Sequence, residues 1–211
     1  MAILWTKKEI KTTSSKTSTM SEYIKTTLTI LWITLFVVWV FYGLFSKKGT
    51  HPEPLHLRFI YYWLPLILAF YLLGPGDWFG HTLIREKFVE HTNLVGIIGL
   101  VSCFLGYIIA LWSRFLLGTN WSISVQKKED HTLITKGPYK LIRHPIYTGL
   151  LLMFSGNAII VGDYRGIIAV IIVLLSFWFK LVKEEKTMIG IFGDQYLKYV
   201  KKTKRLIPWV I

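Results

Sequence analysis

The sequence predicts an all-α membrane protein with about five transmembrane helices, and three observations carry that reading. Hydrophobic residues make up 53% of the 211 and aromatic ones 16%, a composition too apolar for an ordinary water-soluble domain. The apolar residues gather into runs close to the ~20 residues a helix needs to cross a bilayer. Lys and Arg leave a formal net charge of +13 and sit mainly beside those runs, where such residues face anionic headgroups and set orientation. A net charge of this size is also found in nucleic-acid binders. The placement of the cations argues against nucleic acid as a partner here.

The elements follow in order. Residues 1–26 are rich in Lys, Thr and Ser and hold no apolar core with a small-residue cleavage site. They read as a disordered N-terminal tail and not as a signal peptide. The first span is expected over 27–45, closed by a loop at 46–54. The second covers 57–73 and contains Pro65, a helix-kinking residue. Gly74-Pro75-Gly76-Asp77 then stops the helix. The mixed polar and aromatic segment up to Asn93 reads as a loop with one short interfacial helix, and the third span covers 94–117. The N-terminal half, 27–117, is thus three spans. The remainder, 118–211, holds a polar section, a fourth span over 146–161, a turn at 162–166, a fifth span over 167–182 and a C-terminal helix. Pro145 directly precedes the fourth span and suits a first helical turn. Two short spans joined by a tight turn form an antiparallel hairpin.

Five spans put the chain ends on opposite sides. Of the 25 Lys and Arg residues, 17 fall on the side of the first loop, the section 114–143 and the C-terminal region. The positive-inside tendency assigns that side to the cytoplasm. Lys7, Lys8, Lys11 and Lys16 run against it, and a start at Met20 would remove them. Peptides upstream of Met20 in mass spectra of the native protein would rule that start out.

The stretch 131–147 lies between apolar runs yet holds Gly137, Pro138 and Pro145, so it cannot be one straight helix. Irregular backbone next to a membrane must be covered by protein or line a wet cavity. It therefore reads as a cap over a pocket. Three polar groups converge on this side: Gln126 with His131 to Ile134; Tyr139 with Arg143, His144 and Tyr147; and Lys180 with Glu184 and Glu185. Lys180 and Glu184 are i, i+4 and share a helix face. Taken singly, each has a structural reading: Arg143 and His144 as interfacial anchors, Tyr139 and Tyr147 as belt aromatics, Lys180 as a snorkelling side chain, and the Glu pair as a solvated face. The single cysteine, Cys103, lies in an apolar run and gives neither an intrachain disulfide nor a multi-Cys zinc site. His51, His56, His81 and His91 lack ligand spacing, so no metal is expected.

In combination, the pattern His131-Thr-Leu-Ile, Gly137-Pro-Tyr139, Arg143-His-Pro-Ile-Tyr147, Glu184-Glu185, Phe192-Gly-Asp-Gln-Tyr196-Leu-Lys-Tyr199 and Thr203-Lys-Arg-Leu-Ile-Pro208 resembles the isoprenylcysteine carboxyl methyltransferases and their prokaryotic relatives. The resemblance covers about 118–208. It implies S-adenosylmethionine as methyl donor, held in a cytoplasmic-side pocket of the C-terminal half. It further implies cofactor contacts from Gln126, His131, Thr132, Leu133, Ile134, Tyr139, His144, Pro145, Ile146, Tyr147 and Glu184. The catalytic set it implies is Lys180, Glu184 and Arg143. Lys180 stands where the family carries an Arg that meets the substrate carboxylate; Lys keeps the charge but loses the bidentate fork.

The chemistry is consistent with that resemblance. A carboxylate nucleophile is already anionic and needs no base, so the protein has to align it and strip its water. An amine acceptor would need a base. The expected substrate is a lipophilic small molecule or prenylated carboxylate reached through the bilayer. The alternatives are methyl transfer to a phospholipid or small-lipid amine, an NADPH-dependent sterol-type reductase, and a non-enzymatic membrane module or transporter. The reductase lacks a basic cluster for a 2′-phosphate, and a transporter would place charges within several spans.

Overall fold

In the computed structural model, residues 2–45, 54–118 and 132–208 are described. Among them the helices are α1 (Ala2–Leu44), α2 (Leu55–Leu72), α3 (Asn93–Leu117), α4 (Pro145–Val161), α5 (Tyr164–Phe192) and α6 (Asp194–Lys202). The all-α reading holds, and no strand occurs among the described residues. Ser21–Leu44 of α1, with α2, α3 and α5, is long and apolar enough to cross a membrane. The fourth expected span is shorter: α4 has 17 residues, or about 25 Å at 1.5 Å per residue, against a hydrocarbon core of roughly 30 Å. Pro145 fixes its start, and Gly162, left-handed at φ 73°, fixes its end.

Residues 2–26 continue α1 toward the N-terminus. The sequence has no Gly or Pro before Gly43, so nothing in it stops the spanning helix there.

The expected kink in α2 takes a specific form. Phe59–Trp63 is a π-helical turn within the span. Pro65 has no N–H to give to the carbonyl four residues back, which is that of Tyr61. Ser176 Oγ on α5 donates to this carbonyl at 2.7 Å. The bond satisfies the acceptor and ties α2 to α5.

Residues 74–93 form two 3₁₀ turns, Gly76–Phe79 and Leu83–Arg85, in place of one interfacial helix. They fold over the α4–α5 turn. Phe88 N–H donates to Gly162 O at 3.0 Å and Tyr164 N–H to Glu86 O at 3.1 Å. Arg165 binds both oxygens of Asp163 and donates to Gly74 O at 2.6 Å, a buried pair that closes this end of the hairpin.

The centre of the fold is the α3–α4 pair. Gly99 and Gly156 are apposed, as are Gly106 and Gly149 seven residues along. A β-carbon on any of the four would strike the partner's backbone. Between the two pairs, Ser102 Oγ donates to Leu152 O and Cys103 Sγ to Met153 O. Small residues let helix backbones approach this closely in a membrane, where apolar packing against lipid gives no bias toward helix contact. Trp32 of α1, Phe70 of α2 and Phe154 of α4 form an aromatic cluster with centroids 4.8–5.2 Å apart, which joins the outer helices to this pair.

Gly106→Leu and Gly149→Leu are expected to lower stability by at least about 2 kcal/mol, the scale of forced overpacking. Gly43→Leu, where a β-carbon meets nothing, is expected to change it little. Thermal unfolding in detergent, read side by side, checks the contrast.

Candidate active site

The start of α4 is held by two segments. Gly137, at φ 58°, turns the chain into the 3₁₀ turn Gly137–Lys140, a backbone conformation that glycine adopts without cost. The turn buries Tyr139, whose hydroxyl donates to Ser113 O of α3 at 3.3 Å. Burial, helped by Tyr199 and Glu184, pushes that phenol well above its usual range, so it stays a neutral donor. The C-terminal segment then pairs with residues 141–144. Arg143 N–H donates to Lys204 O at 2.7 Å, His144 N–H to Arg205 O at 3.0 Å, and Lys204 N–H to Leu141 O at 3.2 Å. Thr148 Oγ1 donates to Leu206 O at 2.6 Å, and Tyr199 Oη to Tyr139 O at 2.6 Å.

Onto this frame α5 brings two carboxylates. Glu185 receives Arg143 Nε at 2.7 Å and Arg205 Nε at 2.9 Å. Arg143 Nη1 also donates to Thr203 O. Glu184 receives the Tyr147 hydroxyl at 2.6 Å. His144 lies between the two, with Nδ1 3.5 Å from Glu184 and Nε2 3.4 Å from Glu185. The second approach is an ion-pair distance without hydrogen-bond alignment, so Nε2 stays a buried polar atom with no aligned hydrogen bond. Burial alone would lower the His144 pKa, but the Glu184 and Glu185 carboxylates beside it outweigh that and hold the imidazole above its usual 6.5. His144 and Tyr147 stack at 5.6 Å and 19°. One turn back along α5 from Glu184, Lys180 Nζ sits over the Tyr62 ring at 4.8 Å and the Tyr147 ring at 5.7 Å.

Of the residues expected at the site, the structure brings together Arg143, His144, Tyr147, Lys180 and Glu184, with Glu185. Tyr139, Pro145 and Ile146 are buried in the turn and helix start that carry them. Thr132, Leu133 and Ile134 form irregular backbone leading into that turn, Thr132 exposed and the other two half-buried. Gln126 and His131 lie outside the described residues. Arg143 occupies a buried ion network, which makes it a holder of Glu185 and of the C-terminal segment. Sequence reasoning gave no role to Arg205, Thr203 or Tyr62. The first two lie in a stretch the motif pattern already quoted. Tyr62 lies in the apolar half, where only its position three residues before Pro65 distinguishes it.

Comparison with known proteins finds similarity to methyltransferases. Residues 94–195 match the family model described as phospholipid methyltransferase. The chain is 28% identical over 148 residues to the protein-S-isoprenylcysteine O-methyltransferase of Xenopus laevis, covering 68% of this chain and 51% of that protein. It is 29% identical over 148 residues to the Homo sapiens enzyme of that name, covering 68% and 52%. Against the Schizosaccharomyces pombe enzyme it is 26% identical over 164 residues, covering 71% and 67%. The chain thus spans between about half and two thirds of the length of these relatives. A solved structure of the eukaryotic intramembrane Ras methyltransferase, an isoprenylcysteine carboxyl methyltransferase, superposes with a TM-score of 0.52 at 26% identity, covering 71% of this chain and 52% of that one.

Two outcomes are expected from this geometry. Arg143→Ala leaves a buried carboxylate with one cation fewer and should cost roughly 3–5 kcal/mol, the usual penalty for halving a buried pair; chemical denaturation in mixed micelles measures it. Folding raises the His144 pKa, so its contribution is complete below about 6.5 and fades as pH climbs through the higher folded-state value. The melting temperature of the parent should therefore fall across that alkaline limb, and that of His144→Gln should fall less.

Proposed function

We propose that this relative of the isoprenylcysteine carboxyl methyltransferases is an integral membrane methyltransferase that transfers the methyl group of S-adenosylmethionine to the carboxylate of an isoprenylcysteine-like or other lipophilic acceptor. One observation carries the reading. Glu184 and Lys180, one turn apart on α5, meet the stacked His144–Tyr147 pair at the start of α4. An anionic group and a cationic group therefore border one aromatic wall at the end of an apolar bundle.

The residues present fit the cofactor. Bound S-adenosylmethionine supplies an electrophilic methyl on a positively charged sulfur. The Glu184 carboxylate suits its ammonium or ribose hydroxyls, and a buried imidazole with a nitrogen that makes no aligned hydrogen bond suits a polar partner. At the other end, the Lys180 ammonium holds an acceptor carboxylate as a point charge. That acceptor is already anionic, so no protein group has to remove a proton. The Tyr62 and Tyr147 rings keep water away from it, which strengthens the ion pair. A prenyl or acyl tail gains about 0.8 kcal/mol for each buried CH₂, which favours entry from the bilayer. The excess of Lys and Arg on the side of the motif supports a cytoplasmic location for the pocket and the C-terminus.

The family model described as phospholipid methyltransferase favours a second reading, in which the acceptor is a lipid amine. Lys180 opposes it, because a cation repels an ammonium.

Calorimetry of the detergent-purified protein with S-adenosylhomocysteine, followed by tritiated methyl transfer to a panel of carboxylate and amine acceptors, tests both. Heat of binding and transfer to a prenylcysteine carboxylate are expected. Transfer to lipid amines alone selects the second reading, and absence of any binding ends both. Lys180→Glu should reduce carboxylate methylation by about two orders of magnitude, the scale of breaking a buried charge pair, and leave S-adenosylhomocysteine affinity intact. An equal fall in that affinity would move Lys180 into the cofactor site.

A further inference from the structure

We propose that Tyr62, presented by the π-helical turn Phe59–Trp63 of α2, is a positioning residue that holds the Lys180 ammonium at the acceptor end of the pocket. The inference rests on the assignment of Lys180 to the acceptor carboxylate. It draws on the N-terminal half of the chain, outside the residues 94–195 that match the family model.

The Tyr62 ring is buried, and its centroid lies 4.8 Å from Lys180 Nζ, with the Tyr147 ring at 5.7 Å. Both distances fall within the ~6 Å over which an aromatic face attracts a cation. A lysine at this position needs such a holder more than an arginine would. Its charge is a point on a flexible four-carbon stem, and it cannot orient itself by a planar fork. Two ring faces fix the nitrogen without competing for a carboxylate, because they accept charge and offer no anion.

The backbone explains why Tyr62 is the residue in place. Pro65 removes the N–H that would bond Tyr61 O, and Ser176 Oγ bonds that carbonyl at 2.7 Å. Ser176, Lys180 and Glu184 recur every four residues on one face of α5. The same face therefore supplies the bond that sets the register of α2, the cation that Tyr62 receives and the carboxylate of the cofactor end. π turns within α-helices often occur at functional sites. Here the turn places a ring at the height of Lys180.

The test uses the full-length protein in detergent with Tyr62→Phe, Tyr62→Leu, Lys180→Met and the Tyr62→Leu/Lys180→Met pair. The acceptor probe is an N-acylated S-prenylcysteine. Tyr62→Phe keeps the ring and should match the parent. Tyr62→Leu should raise the acceptor KM about tenfold, within the range of a desolvated cation–π contact, with S-adenosylhomocysteine affinity unchanged. The paired variant should be no worse than Lys180→Met alone. A second readout does not depend on turnover: acylation of the Lys180 amine by a small apolar reagent, followed by mass spectrometry. Loss of the ring destabilises the ammonium, so Tyr62→Leu should label several times faster than the parent and Tyr62→Phe at the parent rate. Unchanged KM and labelling in Tyr62→Leu, or additive effects in the pair, would overturn the proposal. Absence of carboxylate transfer in the parent would instead refute the functional assignment, with the labelling comparison still deciding whether Tyr62 holds Lys180.

Discussion

Glu185 brings together parts of the chain that are far apart in sequence. It is buried on α5 and takes one arginine from the residue pair that starts α4 and another from the C-terminal segment. A lone carboxylate at this depth would be costly. Two guanidinium groups offset that cost and fix three segments relative to one another. Arg143 also reaches the Thr203 carbonyl, and backbone bonds from 141–144 to 204–205 continue the joint. The neighbouring Glu184 is thereby held against Tyr147 and His144 in a defined orientation. One carboxylate builds the site, and the adjacent one is presented by it.

The two ends of the α4–α5 hairpin use the same device for different purposes. At the turn, Asp163 and Arg165 pair with each other and with Gly74 O, and the loop 74–93 covers them. The joint there is satisfied by the chain itself. At the open end the groups are richer and less symmetric: two carboxylates, two arginines, a histidine and a lysine over aromatic rings. Such a gathering of charged groups with shifted pKa values is what makes this end the candidate site.

The close packing of α3 on α4 explains how so short a helix can carry the site. Because α4 has 17 residues, its start lies within reach of both the C-terminal segment and α5. The glycine pairs 99–156 and 106–149 hold it against α3 at backbone contact. Ser113 of α3 accepts the Tyr139 hydroxyl at the same level. The position of the start of α4 is thus set by glycines farther along the α3–α4 contact.

The sequence by itself determined that this is an all-helical membrane chain, roughly where its spans lie, and which C-terminal polar residues gather at the start of α4. Hydropathy is a property of local runs, and motif order survives without coordinates, so both are legible in one dimension. The sequence reads as a polar tail at residues 2–26, where α1 continues with no Gly or Pro to stop it. It did not reveal the glycine pairs, because four glycines in two apolar runs acquire meaning only when the runs face each other. It gave no role to Arg205 or Tyr62 for the same reason: an arginine in a basic tail and a tyrosine in an apolar span look like ordinary surface and belt residues. Tertiary structure alone decided which cations meet Glu185 and which ring meets Lys180. Those choices depend on distances between segments up to 118 residues apart in the chain, and such distances are set by packing, not by the local sequence.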